Sequence, residues 1–199
     1  LFNGSGRLSF AFSNHDVPRS ASRQLSPLGI ALDKQDDLQL LLLQLETSLI
    51  GSTCIYQGEE LGLSDVTDID FDKMKDPWGI NFYPDFLGRD TCRTPMVWEK
   101  NKPMGGFSSA NESWLPISKS HLEKAGLDMV KSEGSIYNKF SSFLKWRKQQ
   151  PAMMTANNMS SITGGPKEII FDRISKTQIL RCKFDFELVK ATFEEVTHG

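Results

Sequence analysis

The run Arg7-Leu8-Ser9-Phe10-Ala11-Phe12, followed at once by Ser13-Asn14-His15-Asp16-Val17-Pro18-Arg19, decides how the rest of the chain is read. Leu8, Phe10 and Phe12 recur at every second position with small residues between them, which predicts a strand over 7–12. The polar cluster behind it stands at the carboxyl end of that strand, where α/β folds place their chemistry. Farther on, Leu38, Leu41, Leu42, Leu45 and Leu49 form one apolar stripe at helical spacing. This predicts a helix over 35–50, with Asp33 or Asp36 capping its start and a left-handed Gly51 ending it. Thr53-Cys54-Ile55-Tyr56 is a short β-rich run that breaks into Gln57-Gly58-Glu59-Glu60-Leu61-Gly62. Residues 7–62 therefore read as strand, helix, strand: a βαβ unit with two neighbouring parallel strands.

Residues 63–116 carry no sustained period. Loops of that length are uncommon unless functional, and Trp78, Phe82, Tyr83, Phe86, Trp98, Phe107 and Trp114 predict a compact excursion with its own packing. A second helix is predicted over 135–149, with Ile136, Phe140, Phe143 and Leu144 on one face. Ser135 caps it, Lys145, Arg147 and Lys148 suit its last turn, and Pro151 stops it. A shorter helix is expected within 118–132. Gly164-Gly165-Pro166 signals a turn, with strands over 167–171 and 177–186, so a small β domain begins near 160.

Composition narrows the function classes. Lys and Arg number 23 against 25 Asp and Glu, a net charge of −2, which argues against a nucleic-acid binder working through a broad basic face. Hydrophobic residues make up 39% of the 199, enough for a core. The longest aliphatic run is Leu40 to Leu43, whereas a membrane helix needs roughly 20 apolar residues. Three cysteines, at 54, 92 and 182, give neither a disulfide framework nor a CxxC metal pair. They are expected to be buried free thiols in a reducing compartment. His121, His198, Met153 and Met154 carry no signal of chemistry. The opening Leu1-Phe2-Asn3-Gly4 has no signal-peptide pattern, and the last residues follow an alternating segment. Both ends are expected to be cut inside a longer protein.

Three clusters can carry chemistry. Asn14-His15-Asp16 sets a hydrogen-bond donor beside a negative charge at a strand end; a turn-capping Asp beside a satisfied His explains it equally well. Glu59 and Glu60 follow the next strand, and neighbouring strands lie about 4.8 Å apart. Asp16 with Glu59 or Glu60 can thus form the close carboxyl pair of a retaining glycosidase. The glycine-flanked turn favours the other reading, in which both glutamates bond the turn's own backbone. In Gly88-Arg89-Asp90-Thr91-Cys92-Arg93-Thr94-Pro95 two arginines bracket an aspartate. They offer planar donor forks for carboxylates or sugar hydroxyls, or an internal Arg–Asp brace of the long loop.

These residues also occur in a recognisable order. Ala11 to Arg19 is followed by Tyr56-Gln57-Gly58-Glu59-Glu60-Leu61-Gly62 and Asp76-Pro77-Trp78-Gly79-Ile80. Gly88 to Trp98, Gly105-Gly106-Phe107-Ser108 and Trp114-Leu115-Pro116 come next. Over residues 7–150 the series resembles the α-glucosidase and oligo-1,6-glucosidase branch of the α-amylase superfamily, glycoside hydrolase family 13. The resemblance implies an α/β fold: the last part of a (β/α)8 TIM barrel over 1–152, then the start of a β-sandwich domain over 153–199. Residues 7–12 match the seventh barrel strand, 53–56 the eighth, and 135–149 the last barrel helix.

The resemblance further implies hydrolysis of short α-linked glucosides with retention of configuration. Asp16 matches the third catalytic carboxylate, which stabilises the transition state. His15 and Arg93 match residues that bind the same sugar, and Arg19 is expected nearby. The family's nucleophile and general acid, on its fourth and fifth strands, match nothing in these residues, so the chain alone is expected to be inactive. No cofactor, metal site, nucleic acid or membrane segment is implied; the substrate is an α-glucoside di- or oligosaccharide, and the expected compartment is cytoplasmic. A transglycosylase or sucrose isomerase is the alternative within the family. A non-catalytic partner subunit of a membrane transporter is the alternative outside catalysis.

Overall fold

The computed structural model describes residues 8–155, 158–160 and 162–197; His198 lies outside them. Strand β1 (Leu8–Phe10) pairs in parallel with β2 (Gly51–Thr53), Leu8 opposite Gly51 and Phe10 opposite Thr53. The βαβ unit is therefore present, with β2 nearer the amino end than predicted. Gly51 explains the shift. At φ +153° it is part of the strand, and a Cβ there would run into the Leu8 carbonyl oxygen. Only glycine lets the two backbones approach so closely. Tyr56 leaves the ladder because its N–H donates to Glu59 Oε2 at 3.0 Å.

Two helices join the strands. Helix α1 (Ser20–Leu28) has no counterpart among the predicted elements, and Gly29, left-handed at φ +66°, closes it. Helix α2 (Gln35–Ser48) follows a short 3-10 turn; neither Asp33 nor Asp36 caps it, and Lys34 occupies the cap position. Asp36 and Asp37 sit in its first turn, where negative charge offsets the helix dipole. It ends at an extended Leu49 rather than at Gly51.

The long loop packs differently from expectation. Val66, Ile69 and Met74 form its small apolar cluster, while Trp78, Phe82, Tyr83, Phe86, Trp98, Phe107 and Trp114 are all exposed. Buried Asp76 and Asp90 also hold it, together with the Phe71–Tyr83 ring contact at 5.0 Å and buried Leu63, Met96 and Val97. It contains α3 (Pro77–Phe82) and leads to α4 (Lys119–Leu122) and α5 (Gly126–Lys131). The single helix expected over 118–132 is thus two. The N–H groups of Gly126 and Leu127 donate to the carbonyls of Val97 and Trp98, both at 3.0 Å, instead of continuing α4. His121 is a satisfied core histidine: Nε2 lies 2.8 Å from the Ser64 carbonyl, and burial lowers its pKa.

Helix α6 (Ile136–Lys148) forms as predicted, with Ser135 Oγ accepting the Asn138 N–H at 3.2 Å. Pro151 opens α7 (Pro151–Met154). Beyond it β3 (Asn158–Met159), β4 (Glu168–Ile174), β5 (Ile179–Asp185) and β6 (Lys190–Glu195) form one antiparallel sheet in sequence order. Its inner face lays Phe171, Leu180, Cys182 and Phe184 against Leu38, Leu41, Leu42 and Leu45 of α2. Leu43, on another side of α2, packs with Ile136, Phe140 and Phe143 of α6. Helix α2 is buried almost all round, so Gln39 and Glu46 are buried with it. Cys92 and Cys182 are buried as expected, but Cys54 is exposed where β2 ends. Among the described residues, no helix is long and apolar enough to cross a membrane.

Candidate active site

The chain leaves β1 and turns at Asn14, whose Oδ1 accepts the Asp16 N–H at 2.8 Å. This local turn presents the Asp16 side chain half-exposed to solvent. Its Oδ1 accepts from Arg93 Nη2 at 2.8 Å and from Arg89 Nη1 at 3.3 Å. Its Oδ2 lies 3.3 Å from Nε2 of His15, itself largely exposed. Arg93 also donates from Nε to the His15 carbonyl at 2.6 Å. One guanidinium therefore fixes both the backbone and the carboxylate of the Asn-His-Asp turn. His15, Asp16 and Arg93 meet, although 77 residues separate the last two.

Arg19 is placed behind this surface. It is 1% exposed, its N–H donates to Asp65, and its Nη1 donates to the Gln57 carbonyl at 2.6 Å. Its guanidinium lies 4.9 Å from the centre of the Tyr56 ring. Tyr56 in turn donates from its hydroxyl to the Cys92 carbonyl at 3.0 Å, just before Arg93. Arg19 thus sits beneath the loop that carries Arg93 and presents no free surface of its own.

The two glutamates serve the turn. Glu59 is buried, and its Oε1 accepts from Ser13 Oγ at 2.5 Å, Ser20 Oγ at 2.9 Å and Gln39 Nε2 at 3.5 Å. Glu60 accepts the Gly58 N–H at 2.8 Å. Glu60 therefore bonds the turn's backbone, while Glu59 takes the Tyr56 N–H and three side-chain donors; among the described residues neither pairs with Asp16. Loss of water raises the pKa of Glu60. Glu46, also buried, is pushed up to about 7, first by desolvation and then by the charge of Glu59.

The bracketed aspartate pairs with neither arginine. Asp90 accepts the N–H groups of Lys75 and Asp76, at 2.6 and 2.8 Å. Arg89 pairs with Asp76 instead, a residue that reading for chemistry passed over. Asp76 Oδ2 accepts Arg89 N at 2.6 Å and Nε at 3.1 Å, and Oδ1 accepts Nη2 at 2.7 Å. Asp76 is completely buried at its side chain, and these bonds hold its pKa down to about 2. Gly88 allows the approach, since a Cβ at its φ of +70° would stand 2.6 Å from Asp76 Oδ2. The signal for Asp76 was an Asp directly before a proline, a helix cap with Pro at the first position of α3.

The site thus offers a half-exposed carboxylate, an exposed imidazole and the Arg93 guanidinium on one patch, with Arg89 tied to Asp76 beside them. Such a set can hydrogen-bond vicinal hydroxyls and hold negative charge beside a developing positive centre. The family model of the alpha-amylase catalytic domain matches residues 2–156.

The chain belongs to the alpha-amylase family.

Among its relatives, a probable alpha-glucosidase of Rhizobium meliloti (strain 1021) is 47% identical over 144 residues, covering 72% of this chain and 25% of the relative. A glucan 1,6-alpha-glucosidase of Streptococcus dysgalactiae subsp. equisimilis is 29% identical over 170 residues, covering 77% and 31%. Among solved structures, the alpha-glucosyl transfer enzyme XgtA matches with a TM-score of 0.80 and 36% identity, over 91% of this chain and 32% of that one. This alpha-amylase-family chain therefore spans 25–32% of the length of these relatives.

Proposed function

We propose that the chain supplies the carboxyl-side part of the catalytic domain of an α-glucosidase, which cleaves short α-linked glucosides with retention of configuration. The observation that carries this reading is the meeting of His15, Asp16 and Arg93 at the end of a parallel strand, in a chain of this family. In this reading β1 and β2 are the seventh and eighth barrel strands. Residues 1–152 complete the barrel, and 153–199 begin the β domain.

Asp16 is the transition-state stabiliser. Both arginines bond Oδ1, while Oδ2 has His15 Nε2 at 3.3 Å and keeps a second lone pair for a sugar hydroxyl. As the anomeric carbon gains positive charge, that hydrogen bond strengthens and the carboxylate charge offsets it. His15 donates to a neighbouring hydroxyl, and Arg93 fixes the pair. Arg19 acts from behind, holding Tyr56 and the Cys92–Arg93 backbone in place. The attacking carboxylate and the proton donor are assigned to polypeptide outside these 199 residues. Glu59 and Glu60 cannot fill those roles while they satisfy buried backbone and hydroxyl donors.

Turnover of maltose, isomaltose or an aryl α-glucoside by the full-length protein tests this reading. Asp16→Asn is expected to lower kcat by about 10²–10³-fold, the scale of losing one preorganised electrostatic group. Full activity in that variant overturns the role. The match to an alpha-glucosyl transfer enzyme favours a second reading, in which a sugar replaces water as acceptor. Product analysis at rising maltose concentration separates them: glucose alone marks hydrolysis, and longer glucosides mark transfer.

A further inference from the structure

Arg89 reaches Asp16 in an unusual way. A guanidinium has two edges that can grip a carboxylate with two donors: Nε with one amino group, or the two amino groups together. Asp76 occupies the first edge completely, taking Nε at 3.1 Å and Nη2 at 2.7 Å. Nη2 keeps a second N–H, so the second edge is not used up, but the orientation that Asp76 imposes decides which of its donors can reach Asp16. In that orientation Arg89 meets Asp16 through Nη1, in one long contact of 3.3 Å to Oδ1. The plane of Arg89 is held from another side, its Cζ lying 5.1 Å from the centre of the Trp78 ring. The Arg89 backbone N–H also ends on Asp76, at 2.6 Å, so main chain and side chain share one anchor.

We infer that Asp76 is a positioning residue for the sugar site, holding Arg89 so that it touches Asp16 through a single donor and leaves Oδ2, which His15 meets at 3.3 Å, free of either arginine and able to accept a substrate hydroxyl. This rests on the assignment of Asp16 as the sugar-binding carboxylate. Without Asp76, Arg89 turns its fork onto Asp16, the other carboxylate it already touches, and grips both oxygens. A substrate hydroxyl must then displace a bidentate ion pair. That competition acts on bound ground state and transition state alike, so it raises KM more than it lowers kcat.

The test uses the full-length protein and an aryl α-glucoside. Asp76→Asn is nearly isosteric and is expected to raise KM about tenfold with kcat within about threefold of wild type. Removing the released cation as well, in Asp76→Asn with Arg89→Gln, is expected to return KM to within about threefold of wild type. A loop that merely loosened would not recover on losing a second contact. An unchanged KM in Asp76→Asn, or a double variant worse than the single one, overturns the inference. If Asp76→Asn does not fold, Asp76→Glu carries the test: it keeps the charge but moves the anchor of Arg89, so KM is expected to rise about tenfold, and a KM within about twofold of wild type overturns the role of Asp76. Inactive wild-type protein counts against the glucosidase assignment instead. In that case a crystal structure of Asp76→Asn decides separately: Arg89 bidentate on Asp16 supports the inference, and an unchanged single contact refutes it.

Discussion

Glu46 stands in the middle of α2, 1% exposed, with Oε1 lacking a hydrogen-bond partner among the described residues. Glu59 faces it with a second carboxylate. Burial lifts its pKa from 4.5 to about 7, so the native state binds a proton that the unfolded chain releases. A raised carboxyl pKa contributes stability that is complete below pH 4.5 and falls away as pH rises to about 7. The loss across that window is on the order of 3 kcal/mol. Glutamine never ionises. Glu46→Gln is therefore expected to be more stable than wild type by about 2–3 kcal/mol at pH 8 and to show no such gain at pH 4. Urea unfolding at the two values checks it; parallel pH dependence in both proteins would contradict the assignment. At this scale the sequence was legible where residues act through their neighbours in the chain. Asn14, His15 and Asp16 sit at a strand end in one turn. Asp76 was not legible, because its partner Arg89 is thirteen positions away and a closer aspartate, Asp90, stood between the two arginines.

Two glycines separate close approach from backbone conformation as reasons for the residue. Gly51 has a positive φ, and a Cβ there would also meet the Leu8 carbonyl and stand 2.9 Å from Phe10 Cε2. Gly29 has φ +66° with nothing within 4 Å of such a Cβ. Gly29→Ala is expected to cost about 1 kcal/mol, the left-handed penalty alone. Gly51→Ala adds a clash between the parallel strands and is expected to cost about 2–4 kcal/mol. Denaturant midpoints of the two variants measure the difference, and equal costs would mean that the β1–β2 approach stores none of it. The contrast also shows why elements differ in legibility. Helices α2 and α6 announce themselves through apolar positions at helical spacing, and Ser135 caps α6 as its chemistry predicts. Strand β2 was read two residues late, because β-branched character marks 53–56 while the ladder is set by the absence of a side chain at 51. Helix α1 buries only Ser20 and Ala21 fully, so no apolar stripe reveals it, and Pro27 reads as a breaker.

Alternation along β5 shows which face is buried, but not what it is buried against. Leu180, Cys182 and Phe184 point inward, while Arg181 and Lys183 pair outward with Asp172 and Glu168 of β4. The partner of the inner face is α2, more than a hundred positions earlier, and no local pattern encodes that pairing. The consequence is mechanical. Leu38, Leu41, Leu42 and Leu45 belong to the same core as Phe171, Leu180 and Phe184. The helix between the two parallel strands thus rests on the carboxyl-terminal sheet. Arg173 ties the two further, donating from Nη1 to the Ser48 carbonyl at 2.7 Å, at the end of α2 and next to β2. A cavity opened in the sheet must then weaken α2 as much as the sheet itself. Phe184→Ala removes a fully buried ring and is expected to cost about 3–5 kcal/mol. Native-state hydrogen exchange reads where that cost falls. Slowly exchanging amides in α2 and in β5 should lose the same free energy of protection, because neither can open while the other keeps the core. If β5 lost protection and α2 kept its wild-type value, the sheet would be a separate unit leaning on the helix, and the strand-end site would owe its geometry to α2 and α6 alone.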